Sequence, residues 1–406
     1  MISLLLVQLA NYLPPLLILP YISRVLGING FGVVSIILSI SAIIYVITDY
    51  GFSLSSSYWI AKHRVNKKNI SYYIGAIFVS KTILMIIISV FLFFINLGGV
   101  SGINEIDKYK IWIFFIAISQ AYQPIWFFQG MEKMKNITIF MVSAKVIYMI
   151  FVFLFVKGID DLFYVFLSFA LSNLFATIIS IYLIYKAGYY ISFPYLKRIL
   201  RVLQVSTPYF LSRASVGLYT SANTFLVGTT LGVHQAALYS SAEKLYQSGQ
   251  SLLSPISQSL FPYLARTKDL RILIKIVLLG LIPMLVGVSI CWVYADKILL
   301  IFFGQHFDSA GNILRIFMLC SIITFITGNF GYPAFSIYGR LDLVNKSVYF
   351  SGIIQLTILG TLLISGNFNI ENVALSILFV EFLVMLFRVT AFTIIRKKVG
   401  DVYASS

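Results

Sequence analysis

Five charged residues interrupt stretches that are otherwise apolar: Lys81, Lys145, Arg213, Lys244 and Glu381. Each lies about 8–9 residues from the nearer end of its stretch. At roughly 1.5 Å of rise per helical residue, that is a depth of about 12–14 Å, near the middle of a bilayer. An ionised group there costs about 2.5–3.5 kcal/mol even on the lenient insertion scale, so such residues need a reason. Glu381 and the neighbouring Glu243 can neutralise one or two of the cations by pairing between helices. Two acids do not balance Lys81, Lys145, Arg213 and Lys244 together. The surplus predicts a wet, cationic cavity for an anionic substrate. Phosphates are the obvious candidates, because Lys and Arg recognise them well.

Uncharged polar residues fall in the same stretches: Asn11, Gln120 and Gln123 (just before Pro124), Asn223 and Gln247. They suit the lining of a hydrated path, yet the same residue types also hold helices together, and the sequence leaves both readings open. Asp49 lies nearer the inner face and Arg24 nearer the outer. Nothing suggests catalysis: there is no nucleophile elbow, phosphate-binding glycine loop or ATP-binding segment. His63, His234 and His306 are far apart, and Cys291 and Cys320 fall in apolar stretches. No catalytic residue, metal or cofactor is therefore expected.

The elements that must position these residues are membrane helices. Of the 406 residues 59% are hydrophobic and only 11% charged, against about 25% charged in a soluble chain. Stretches of roughly 20 apolar residues, enough to cross a hydrocarbon core, recur near 3–22, 33–50, 72–97, 111–129, 137–156, 162–185, 205–231, 236–264, 272–294, 313–335, 347–364 and 372–395. The expected fold is an all-α integral membrane protein of about twelve transmembrane helices. With the N-terminus inside, the inner connections and C-terminal tail carry about 19 Lys and Arg, against about 5 outside. Both termini are thus expected in the cytoplasm. The net charge of +16 reads as a topology signal, and no nucleic-acid partner is expected.

Two internal echoes divide the chain. Leu26-Gly27, between the first two stretches, is matched by Leu231-Gly232 between the seventh and eighth, and Ser35 by Ser240. Gln129 to Asn136 is echoed by Tyr338 to Asn345. Like loops at like positions predict two parallel six-helix lobes, residues 1–185 and 203–406, with a site between them. The basic segment 186–202 is the expected cytoplasmic connector, and residues around 195–203 suit a short amphipathic surface helix.

Leu19 to Gly27 followed by Phe31-Gly32, Asp49-Tyr50-Gly51-Phe52, Phe128 to Met134, Tyr239 to Leu245, Phe261-Pro262 and Phe302 to Phe307 resemble, in order, the motifs of bacterial polysaccharide flippases. These are the O-antigen unit flippases (Wzx-type) of the multidrug/oligosaccharidyl-lipid/polysaccharide superfamily. The resemblance implies a MATE-like fold, two lobes around a central cationic cavity, and alternating access. It implies an oligosaccharide on undecaprenyl diphosphate as cargo, moved between leaflets of the bacterial inner membrane. The polymerase and chain-length proteins of the same pathway would be its partners, and a monomer its working state. By motif, Arg24, Asp49, Glu243 and Lys244 map onto recurrent family positions. Relatives often carry an acid where Asn223 stands, so a coupling acid would have to be located elsewhere, with Asp49 and Glu381 the first candidates and Glu243 a further acid for coupling or ion pairing. The alternatives are a cation-coupled drug exporter of the same superfamily, or a membrane polysaccharide polymerase or acyltransferase.

Overall fold

The computed structural model describes residues 2–64, 66–94 and 108–404. Side-chain surroundings are described for these except residues 2–13, 15, 212, 216, 218–221, 252–255, 258–259, 262 and 398–404. Among the described residues every regular element is helical. That is what lipid demands of an open chain: a helix satisfies its own backbone groups, whereas a sheet edge does not.

Two compact units divide the chain at Ala237/Leu238. The first contains α1 (Ile2–Asp49), α2 (Phe52–Lys62), α3 (Lys67–Phe94), α4 (Lys110–Ala121), α5 (Ile125–Gly130), α6 (Met134–Phe155), α7 (Leu162–Lys186) and α8 (Leu196–Leu231). The boundary falls in the first turns of α9 (Val233–Thr267). The second unit continues with α10 (Leu270–Val293), α11 (Ala295–Phe303), α12 (Gly311–Asn329), α13 (Tyr332–Ser336), α14 (Leu341–Ile364) and α15 (Ile370–Ala404). Residues 196–202 of the basic segment form the first two turns of α8. That helix packs with α1, α2 and α3 in the first unit: Tyr50 stacks on Phe210 at 4.6 Å, and the Ser55 and Ser206 hydroxyls lie 2.7 Å apart.

Nine segments of the described residues are long and apolar enough to cross a membrane. Among them α3 leaves Ile86, Ile87, Phe91 and Phe93 between 58% and 81% exposed. Contiguous apolar surface of that kind would be a liability in water and is ordinary where the solvent is lipid. The 36-residue α8 and 35-residue α9 are as long but more polar. The chain is a multi-pass membrane protein.

The two echoes in the sequence have structural counterparts. Gly27 kinks α1 with φ 68 and ψ −178, and Gly232 joins α8 to α9 with φ 93 and ψ 173. Only glycine adopts that region readily. A Cβ at either position would meet nothing within 4 Å, so backbone conformation, not crowding, requires glycine there. The second echo, Gln129 to Asn136 and Tyr338 to Asn345, spans the turn from a short helix into the next long one, and in both places a helix break precedes that short helix. α4 stops at Ala121 and α5 resumes after Pro124, before the turn into α6; α12 stops at Asn329 and α13 resumes after Gly331, before the turn into α14.

Candidate functional site

A helix that stops inside a membrane leaves its last carbonyls without intrahelical partners. In the first unit, Lys81 from α3 supplies one: its ammonium donates to the Ala121 carbonyl oxygen at 2.6 Å. Lys81 is 2% exposed, and the buried Phe52 ring lies 6.0 Å from its Nζ. In the second unit Arg388 of α15 has the same task. Its Nη1 donates to the Thr327 carbonyl at 2.9 Å and its Nε to the Ser347 hydroxyl at 2.9 Å. A cation at a helix C-terminus also meets the negative end of the helix dipole. Lys81 is thus engaged by the fold at its charged end.

The break also opens a cavity of about 330 Å3 within the first unit. Gln120 and Gln123 from the break line it, with Tyr45 of α1, Lys145 and Tyr148 of α6, and Asn173 of α7. Gln123 Nε2 donates to Asn173 Oδ1 at 3.2 Å, and Asn173 Nδ2 donates to the Phe169 carbonyl at 2.8 Å. One ammonium, three amides, two phenols and the Ser172 hydroxyl in a wall otherwise made of apolar side chains can hold an anion and the hydroxyls of a polyol. Sequence reasoning named Lys145, Gln120 and Gln123. It missed Asn173 and the two tyrosines, although an amide in the middle of an apolar stretch was a signal for Asn173.

At the end of α1, Asp49 is buried and accepts from the Ser53 hydroxyl at 2.8 Å. The Ser53 hydroxyl in turn accepts from Nη2 of Arg213 at 3.4 Å, so one hydroxyl bridges an acid and a guanidinium that the sequence places 164 positions apart. Asp49 also faces the Ser53 backbone N–H at 3.4 Å, in the first turn of α2, where a carboxylate is favoured. Its field reaches Lys81 and Tyr45. Outside the spans, Arg64 and Glu132 pair at 2.7 Å. The Arg64 hydrogen bond and charge hold the Glu132 carboxyl below the usual carboxylate range.

The other expected residues are placed as follows. Asn223 is buried in α8, and Arg24 is exposed on α1 before the Gly27 kink. The side chain of Asn11 lies outside the described residues. In the second unit Lys244 donates to Gln247 Oε1 at 3.1 Å, and Glu243 beside it is buried. Glu381 shares α15 with Arg388, two turns on, whose charge acts on it. Gln250, which donates to the Thr324 hydroxyl and to the Ser321 carbonyl, extends the polar side of α9.

Known proteins of like sequence and shape bear on what these clusters serve. A protein of Shigella dysenteriae named "Putative O-antigen transporter" is 28% identical over 394 residues, covering 95% of this chain and 97% of its own length. An Escherichia coli K12 protein of the same name is 27% identical over 363 residues, covering 87% and 86%. The fold is similar to that of a solved structure described as the inward-facing conformation of a multidrug resistance MATE family transporter of the MOP superfamily. That match has a TM-score of 0.70 and 14% identity, covering 96% of each chain. The lipid II flippase MurJ, inward closed, matches with a TM-score of 0.67 and 12% identity, over 96% of this chain and 87% of that one. The sequence profile described as "Polysaccharide biosynthesis protein" matches residues 1–268, and the chain belongs to that family.

Proposed function

We propose that the chain moves an oligosaccharide repeat unit on undecaprenyl diphosphate from the cytoplasmic to the periplasmic leaflet of the bacterial inner membrane. The observation that carries this reading is Lys145 in a cavity lined by Gln120, Gln123, Asn173, Tyr45 and Tyr148, in a family of polysaccharide biosynthesis proteins whose relatives are named for O-antigen transport. The diphosphate and sugars cannot enter hydrocarbon without losing their hydration, whereas the polyprenyl tail can stay in lipid. The protein therefore has to shield the head group alone.

In this reading Lys145 and Arg213 meet the diphosphate charge, and the amides and phenols meet sugar hydroxyls. Lys244 and Gln247 offer a second pair of the same chemistry. Lys81 holds the broken helix in place. Asp49, Glu243 and Glu381 are the acids available for pairing or for coupling to an ion gradient. Both termini are cytoplasmic, which puts the basic loops inside. The multidrug exporters of the same fold argue for a second reading, but a lysine in the cavity disfavours a cationic drug.

Deleting the gene should trap completed lipid-linked repeat units on the cytoplasmic leaflet, read by leaflet-resolved labelling of the lipid-linked sugar. Units already on the periplasmic leaflet of the deletion strain would overturn the proposal.

A further inference from the structure

The proposed transport site leaves unused a second and larger cavity in the first unit, of about 670 Å3, well within the range of small-molecule pockets. One wall is the basic start of α8: Lys197, Arg198 and Arg201. The opposite wall is aromatic. The Trp59 ring stacks on Tyr73 at 3.9 Å and on His63 at 4.2 Å, and Tyr195 lies at the rim.

These groups are arranged, not merely present. Nδ1 of His63 donates to the Trp59 carbonyl at 2.8 Å, which orients the ring and leaves Nε2 for a ligand. Arg198 Nη2 donates to the Asn69 carbonyl at 3.2 Å and to Asn69 Oδ1, fixing the guanidinium at the cavity wall. Lys197 and Arg201 are exposed, and among the described residues no acid pairs with any of the three cations.

Topology alone does not explain this placement. Cations that only orient a chain can stand anywhere on the inner side. These occupy the first two turns of a helix, where the dipole opposes positive charge, and no acid in that first turn offsets them. Arg and Lys side chains without an acid partner among the described residues, beside an aromatic stack, match a phosphate ester that carries a sugar. The cations take the phosphate oxygens; Trp59 is sandwiched between Tyr73 and His63, so the exposed His63 and Tyr195 rings take the sugar C–H surface.

We propose that this cavity binds the pyrophosphoryl-sugar head group of a lipid, a reception site separate from the Lys145 cavity. The identity of the cargo rests on the proposed function; the binding itself does not require transport. An anionic phospholipid offers a phosphate ester too, so the test separates the two sources.

The full chain, in nanodiscs of phosphatidylcholine, is titrated with geranyl diphosphate N-acetylglucosamine, following the tryptophan fluorescence that is lost in Trp59→Phe. The expected result is a saturable, Trp59-dependent change whose Kd rises at least tenfold in the Lys197→Ala/Arg201→Ala double variant. Free N-acetylglucosamine should give no saturation. Both substituted side chains are exposed, and an unchanged thermal melt verifies the fold. A double variant that binds within twofold of the parent overturns the proposal. So does equal competition by nanodiscs containing phosphatidylglycerol, which would assign the cavity to bulk anionic lipid. Probe binding with no leaflet transfer would leave this site standing and sink the proposed function instead. Leaflet transfer with no Trp59-dependent binding would do the reverse.

Discussion

Nζ of Lys81 and the carbonyl oxygen of Ala121 meet at 2.6 Å across 40 positions of sequence, and this contact ties α3 to the broken end of α4. Gln120 and Gln123, at that break, line the cavity beside Lys145. A continuous helix there would keep Gln120 and Gln123 on one face as an i, i+3 pair but would spend its carbonyls internally. The cation satisfies a carbonyl at the break next to the polar cavity.

Lys81→Met keeps most of the volume and removes the donor, leaving a buried carbonyl unsatisfied. The expected loss is about 1–3 kcal/mol, read as a lower melting temperature in detergent or nanodiscs. Lys81→Ala adds a void and should cost about 2–5 kcal/mol. In both variants hydrogen exchange should quicken at the end of α4. Unchanged exchange there would show that the contact does not hold the break.

Lys145→Gln keeps a hydrogen-bonding head but removes the charge from the cavity. Surface polysaccharide export should fall at least tenfold, about 1.4 kcal/mol or more at the limiting step, with protein level and melting unchanged. Export within twofold of the parent would remove Lys145 from the transport path.

Ser53→Ala removes the hydroxyl that bridges Asp49 and Arg213. Losing hydrogen bonds to charged groups costs about 1.5–3 kcal/mol, and Ser53→Thr, which keeps the hydroxyl, should restore most of it. The measurement is the melting temperature of the two variants side by side.

Gly27→Ala and Gly232→Ala should each destabilise by about 1–3 kcal/mol, because both glycines hold a positive φ with an extended ψ. Asn, which tolerates the ordinary left-handed region, should give no rescue, since the ψ here lies near 180°. A melt of Gly27→Asn equal to the parent's would refute this account.

Glu132 supplies a pH signature outside the spans. Its carboxyl is held low by Arg64, so the pair's stabilisation is fully present above the ordinary carboxylate range and fades only as pH falls through the lowered value. Glu132→Gln should melt below the parent at neutral pH by a constant margin that closes in acid. A margin that changes between pH about 6 and 8 would contradict the assignment.

How much of this was legible beforehand differs by residue. The apolar runs are length-coded by the bilayer, so composition and spacing sufficed for the multi-pass membrane fold. Leu26-Gly27 and Leu231-Gly232 marked the repeat because a backbone region reserved for glycine leaves a trace in the sequence. Lys145 stood out because charge at that depth is costly wherever it sits. Of its partners, Tyr148 is one turn along the same helix, whereas Tyr45 and Asn173 join it from helices 100 and 28 positions away and could not be read. Depth alone gave Lys81 and Lys145 the same standing. Only the tertiary structure separated them, because a break in a neighbouring helix offers one lysine an orphan carbonyl and leaves the other beside a polar cavity. The basic segment that runs into α8 was legible in the sequence as a run of charge. That its cations face a stack of aromatic rings depends on how α8 packs beside α2 and α3, and periodicity within one helix carries no information about that.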